Sequence, residues 1–335
     1  MSGTLLITGG TGFLGRYIID MLDKDFPDLP YSTVRLMVRS PEKASDITLN
    51  NYEVETVKGD LFDTNSLVNA VDRIDAMIHV AAIYDTSSSR EEFYKANVEG
   101  TRVLLESMMG DTRVVLTSTY GVYGLDTPKR PITEDYEPKK PFWHYQTSKK
   151  AQEDTAFEIS EEKGLDLTAI RPATIIGPKE YFFIPNAVES IRNNNVAILS
   201  DNGENRLPFI HAEDAAKAHL LALQQMDTAS GKAYHVSGFE PQFKELVNYI
   251  SREIGEGEVT RKIPYRLAYS LGWIADKTPI PLPLSRFEVK FLASHCELDT
   301  SRIEEDLGWE AEYGMETTLD QTLEWYKEEQ PEPRA

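Results

Sequence analysis

"TLLITGGTGFLGR" spans residues 4–16. It begins as an apolar run of strand length and passes through a glycine-rich turn. In "GFLGRYIIDMLDKD" (12–25), Leu14, Ile18, Met21 and Leu22 then fall on one helical face. Gly9, Gly12 and Gly15 therefore stand between a strand and a helix with the spacing G-x-x-G-x-x-G. Such a turn lets backbone approach a pyrophosphate closely, and the helix N-terminus offers unpaired N–H groups and a positive dipole end. A tight turn without a ligand would share this pattern. Its place between strand and helix points to a dinucleotide cradle, with Thr11, Phe13 and Leu14 as further contacts.

Working outward, the same alternation continues. "VRLMV" (34–38), "YEVETV" (52–57), "AMIHVAA" (76–82), "RVVLTS" (113–118) and "LTAIRPAT" (167–174) read as strands. Helical stretches separate them near 64–73, 91–109 and 147–163. This order predicts an α/β protein with a Rossmann-type, doubly wound parallel sheet over residues 1–175. Beyond 175 prolines increase, and short strands such as "FIHAED" (209–214) and "AYHVSG" (233–238) alternate with helices. A smaller, mixed α/β C-terminal substrate lobe is expected over 176–330, with strands from about 205–240 available to the main sheet. A helix near 317–329 and a polar tail over 331–335 close the chain.

The 335 residues carry 35 basic and 55 acidic side chains, a net charge of −20. That balance argues against nucleic acid or an anionic membrane surface as a main partner. A single cysteine, Cys296, forbids a disulfide within the chain and suggests a reducing, cytoplasmic setting. The six histidines lack metal-ligand spacing, so no metal is expected. No apolar run approaches the length of a membrane span, so no integral membrane segment is expected.

The end of the second strand chooses the dinucleotide. An acidic residue there bonds the ribose 2′-hydroxyl of NAD. Here the strand runs into "RSPEK", placing Arg39 and Ser40 at that corner with no carboxylate before Glu42. An arginine pairs with a 2′-phosphate through charge-assisted bonds. The expected cofactor is NADP, with NAD as the alternative. Further along, "GDL" places Asp60 and Leu61 at a strand end, and "HVAA" places Val80, Ala81 and Ala82 at another. Ligands in open α/β sheets bind at such ends.

Two Tyr-x-x-x-Lys pairs occur, Tyr136/Lys140 and Tyr145/Lys149. Residues at i and i+4 share a face only in a helix. Pro138 disfavours helix in the first pair. The second opens a proline-free helical stretch. A phenol normally ionises near pH 10, and a lysine ammonium nearby should lower that value. Such a tyrosine can exchange a proton with an alcohol or carbonyl oxygen while hydride moves at a nicotinamide. "LTSTYGVYG" (116–124) supplies a hydroxyl opposite, from Ser118 or Thr119.

In order, "TGGTGFLG", "GDL", "HVAA", "LTSTYGVYG", "YQTSK", "RPATIIGP" and "FIHAEDAAKA" resemble the extended short-chain dehydrogenases/reductases over about 1–330. The nearest likeness is to the dihydroflavonol reductase, 3β-hydroxysteroid dehydrogenase and NAD-dependent epimerase group. The resemblance implies a triad of Thr119, Tyr145 and Lys149, with Thr119 where serine is usual. It further implies Asn97 of "YKANVEGT" as a supporting catalytic residue. Ser118, Tyr145, Lys149 and the stretch from Pro172 to Thr174 are implied as cofactor contacts. Homodimerisation through the helices near 91–109 and 147–163 is also implied.

Two departures speak against a sugar nucleotide as substrate. Thr174 stands where epimerases usually carry asparagine, and Leu207 where they carry arginine, although Arg206 is adjacent. The C-terminal stretch "IPYRLAYSLGWIADKTPIPLPL" (263–284) offers Tyr265, Tyr269, Leu271 and Trp273 either to an apolar pocket or to the core. Tyr84, Asp85, Tyr120, Trp143 and Ile176 neighbour motif residues and are candidate substrate contacts. The expected function is NADP-preferring interconversion of a secondary alcohol and a ketone on a bulky apolar small molecule. A nucleotide-sugar epimerase or dehydratase with bound NAD is one alternative, and a non-catalytic NAD(P)-binding regulator is another.

Overall fold

The computed structural model describes residues 3–84, 88–137, 143–199, 201–277 and 285–331. Seven parallel strands form the main sheet: β1 (Gly3–Thr8), β2 (Tyr31–Val38), β3 (Glu53–Lys58), β4 (Ala76–His79), β5 (Arg113–Thr117), β6 (Asp166–Pro172) and, after two short strands, β9 (Ala233–Val236). Their order is β3-β2-β1-β4-β5-β6-β9. The order reverses between β1 and β4, which opens a crevice at their C-terminal ends. Leu5, Leu6, Ile7 and all of β4 are buried because helices cover both faces.

Helix α1 (Phe13–Asp25) packs with the helix Ala212–Gln224 on one face. On the other lie α2 (Thr64–Ala70), α3 (Arg90–Phe93), α4 (Gly100–Ser107) and α5 (His144–Lys163). In α1 Leu14, Ile18 and Leu22 of the expected stripe are buried, Met21 is only partly buried, and Ile19 joins the buried face. Helices α3 and α4 are joined by a π-helical segment, Tyr94–Glu99. Helix α5 begins at His144, three residues before the expected start, so Tyr145 lies inside its first turn. The Trp143 N–H donates to the Gln146 side chain and closes that end of the helix.

The last strand of the sheet comes from beyond residue 205. The C-terminal portion is chiefly helical, with one small parallel sheet of β7 (Thr174–Ile176) and β8 (Phe209–His211). Helices Phe183–Arg192, Phe243–Glu253 and Met315–Glu329 share a separate apolar core there. Among the described residues no helix is long and apolar enough to cross a membrane.

Candidate active site

The glycine turn fits a dinucleotide. Gly9 has φ +73°, and a Cβ there would lie 2.8 Å from the Ala81 N atom. A Cβ on Gly15 would sit 2.2 Å from the Gly9 carbonyl oxygen. Any side chain at either position would close the space between β1, β4 and the start of α1. Gly12 caps α1 without a side-chain bond, so the first-turn amides are not consumed by a cap, and no acidic residue sits in that turn. Thr11 and Phe13 are partly exposed beside the turn. Leu14 is buried in the core, so only its backbone can border a ligand.

At the end of β2 Arg39 is exposed. The Ser40 hydroxyl is directed at Glu42, whose carboxyl is held below its ordinary value first by its own backbone N–H and then by Ser40. Asp60 accepts from the Phe62 N–H at 3.0 Å, and Leu61 lies over Gly100. Val80 and Ala81 are partly exposed and Ala82 is exposed, all just beyond β4. Pro172 is buried at the end of β6, while Thr174 is partly exposed and lies 3.4 Å from the Tyr120 hydroxyl.

Tyr145 and Lys149 both lie in α5, one turn apart, with Tyr145 partly buried and Lys149 buried. The lysine is 2% exposed; its Nζ donates to the Thr117 carbonyl oxygen at 2.7 Å and to the Gln152 side chain. Burial pushes its pKa down to about 7, against the pull of Glu153. The expected lowering of the Tyr145 pKa is not found. Burial, then the Tyr84 and Tyr120 phenols, pushes it above its ordinary value. The reason is packing: the Tyr145 ring meets Tyr84 at 4.8 Å, Trp143 at 5.4 Å and Phe93 at 6.1 Å between centroids. At neutral pH the side chain is therefore a phenol, not a phenolate.

Thr119 is partly exposed and accepts from the Gly121 N–H at 3.1 Å, which leaves its own hydroxyl proton to donate. The turn it caps, Tyr120–Tyr123, packs on Gln146 of α5. Ser118 does not share this role. Its hydroxyl is 3% exposed and donates to Glu153, which also receives the Arg171 guanidinium. Only its backbone can serve a cofactor. Asn97 is likewise not in the cleft. It is fully buried in the π-helical segment, accepts from the Ile83 N–H at 2.8 Å and donates to Ser148 at 3.0 Å. It positions the loop after β4 against α5. A π segment carrying a buried asparagine is a common mark of a functional region.

Among the substrate candidates, Tyr84 is 45% exposed and stands edge-on to Tyr145, Trp143 and Phe182. Trp143 packs on Phe287 at 4.3 Å. Tyr120 is buried beside Thr174. Ile176 is fully buried in the C-terminal core and faces no cleft, because β7 turns it toward the helices. Asp85 lies outside the described residues, as do Lys140, residues 278–284 and the last four residues of the tail. Tyr265 stacks on Tyr269 and lines a cavity of about 280 Å³ with Leu125, Asp126 and Lys290. Leu271 and Trp273 are exposed, so they form neither core nor pocket wall there.

A dinucleotide crevice at the sheet's switch point, with a tyrosine and lysine beside it, defines a Rossmann-type NAD(P)-dependent enzyme. The chain belongs to the NAD dependent epimerase/dehydratase family, whose model matches residues 5–237. It is 27% identical to a 2-alkyl-3-oxoalkanoate reductase of Stenotrophomonas maltophilia, over 94% of this chain and 97% of that one. It is 28% identical to the decarboxylating sterol-4-alpha-carboxylate 3-dehydrogenase of Mus musculus, over 80% and 73%. Its fold is similar to that of a Streptomyces venezuelae dTDP-glucose 4,6-dehydratase with NAD and TYD bound, with TM-score 0.78, 24% identity and 98% of each chain covered.

Proposed function

We propose that the protein is an NADP-preferring oxidoreductase that interconverts a secondary alcohol and a ketone on a bulky apolar substrate. The observation that carries this reading is the aromatic wall of Tyr84, Trp143, Phe182 and Phe287 gathered around Tyr145. Such edge-on and tilted rings present apolar surface to a ligand. When bound, the nicotinamide supplies or accepts hydride. The chain's own residues handle the oxygen. Thr119 donates to it, and Tyr145, held as a phenol, gives it a proton as it becomes an alkoxide. Exposed Arg39 at the end of β2 supports the preference for a 2′-phosphate.

The names of two relatives narrow the substrate. A 2-alkyl-3-oxoalkanoate and a sterol-4-alpha-carboxylate acted on at position 3 each place a carboxylate one carbon from the reacting carbon. The first screen is therefore NADPH oxidation with 2-substituted 3-oxo acids and esters, beside steroid ketones.

A second reading, a nucleotide-sugar epimerase or dehydratase, draws on the similarity to structures such as the Thermotoga maritima UDP-glucose 4-epimerase with UDP-glucose, at TM-score 0.74 and 21% identity over 97% of this chain and 99% of that one. Against it, Leu207 is buried and Arg206 is engaged by the Glu240 carbonyl and Glu297. Neither offers a diphosphate a waiting cation. Calorimetric titration of cofactor-stripped protein with NADPH and NADH, each with and without UDP-glucose, decides between them. Tighter NADPH with no heat from UDP-glucose supports the reductase; tighter NADH with saturable UDP-glucose overturns it. A homodimer through α4 and α5 accompanies the proposal and is tested by sedimentation velocity.

A further inference from the structure

A chain of buried polar side chains runs beneath the site, and the sequence motifs do not account for it. The Ala81 N–H donates to the Thr8 hydroxyl at 3.1 Å, and that hydroxyl meets His79 Nδ1 at 2.7 Å. His79 Nε2 meets the Thr101 hydroxyl at 2.9 Å. The Gln152 amide reaches the same hydroxyl at 2.7 Å, and its oxygen takes the Lys149 ammonium. Thr8, His79, Thr101, Lys149 and Gln152 are all at most 2% exposed.

Donor arithmetic orients the whole chain. The Thr101 proton is spent on the Asn97 carbonyl oxygen at 2.7 Å. Its oxygen then accepts from Gln152 Nε2 and from His79 Nε2–H, and the 3.4 Å approach of Gln152 Nε2 to His79 Nε2 is a contact between two donors, not a hydrogen bond. His79 Nδ1 is left bare and accepts from Thr8. The imidazole is thus neutral and in the Nε2–H form, a tautomer assigned from the network. Burial, then the Lys149 charge, pushes the His79 pKa down to about 3, in agreement. The Gln152 amide is likewise fixed, nitrogen toward Thr101 and oxygen toward Lys149.

We propose that Gln152 is a positioning residue for Lys149, holding the ammonium so that one of its three N–H donors faces the crevice beside Tyr145. The Thr117 carbonyl takes the second donor and Gln152 the third. This inference rests on the reading of Tyr145 and Lys149 as the reacting pair.

The test uses purified, cofactor-stripped wild type, Q152M and Q152E. Each is titrated by calorimetry with NADPH and with 2′,5′-ADP, which has only the adenosine half; NADH and ADP replace them if the wild type prefers NADH. Q152M should weaken NADPH at least tenfold while 2′,5′-ADP stays within twofold. Q152E keeps an acceptor for the ammonium and should stay within threefold of wild type for both. In ¹⁵N-histidine-labelled wild type, the signal lost in H79Q should be a neutral Nε2–H imidazole at pH 6. Equal weakening of both ligands, or wild-type affinity for both in Q152M, overturns the proposal, as does a charged or Nδ1–H His79. If Q152M does not fold, Q152N withdraws the acceptor while keeping the amide and should show the same split. A wild type that binds neither dinucleotide overturns the function reading and this inference with it. A wild type that binds NADPH, with an indistinguishable Q152M, overturns this inference alone.

Discussion

The Lys149 ammonium donates to the carbonyl oxygen of Thr117 at 2.7 Å, tying the first turns of α5 to the C-terminal end of β5. Two residues further along, Thr119 presents a hydroxyl. The start of the helix that carries Tyr145 is thereby fixed to the strand end that leads into Thr119. The lysine is anchored by a backbone carbonyl and an amide oxygen, while the buried Glu153 carboxylate acts on it through its charge.

Removing that phenol should stop the chemistry and little else. Tyr145→Phe keeps the ring packing against Tyr84 and Trp143 and deletes only the proton donor. Turnover of any ketone the wild type reduces should fall at least 100-fold, about the lower bound for general acid catalysis. NADPH affinity and melting temperature should hold. Retained turnover in steady-state assays would remove Tyr145 from the mechanism.

Arg39→Asp reverses the charge at the corner after β2. The NADPH/NADH ratio of affinities should drop by at least about tenfold, the loss of one charge-assisted bond plus repulsion of the 2′-phosphate. Paired titrations of the variant and wild type read it directly. An unchanged ratio would assign dinucleotide choice to another residue.

Glu153 and Arg171 form a buried ion pair, with side chains 3% and 12% exposed. Arg171→Met leaves a carboxylate without its partner in the core and should cost about 3–5 kcal/mol. Combining it with Glu153→Gln should return part of that loss, because the buried carboxylate is then gone. Urea unfolding of both variants measures the difference.

His219 is fully buried, bonded to the Ala215 carbonyl and the Thr117 hydroxyl, and burial pushes its pKa down to about 4. Unfolded, it takes up its proton near pH 6.5; folded, it resists until about pH 4. Unfolding therefore binds a proton in that window, and stability falls as pH drops from 6.5 toward 4. His219→Gln should flatten this slope by up to about 1.4 kcal/mol per pH unit. Unfolding free energies of both proteins at pH 6.5, 5.75 and 5.0 would show it. Parallel slopes would mean that the imidazole takes up its proton as readily in the native state as in the unfolded chain.

Much of this was legible along the chain because it is local. A glycine turn between a strand and a helix has one geometry, and alternating strand and helix periods leave few arrangements. The Tyr145/Lys149 spacing requires only a helix. Ile176 and Ser118 were misread for one reason: a residue beside a motif can point away from it. Ile176 turns into the C-terminal core and Ser118 into the Glu153–Arg171 pair. Gln152 and Glu153 left a faint signal, two polar residues at the inward positions of α5 three and four places after Lys149. His79 gave none, being a single histidine at the end of a buried strand.

By itself the sequence determined the strand order's raw material, the cradle for a dinucleotide and the Tyr145/Lys149 spacing on one helix. These depend on backbone propensity, spacing and the chemistry of single residues. Only the tertiary structure decided the surroundings of that pair. Burial and the rings around it, Tyr84 and Phe93 among them, push the Tyr145 pKa up, and Lys149 is oriented by Thr117 and Gln152. Desolvation and hydrogen-bond direction are sums over neighbours distant in the chain, and no local pattern encodes them.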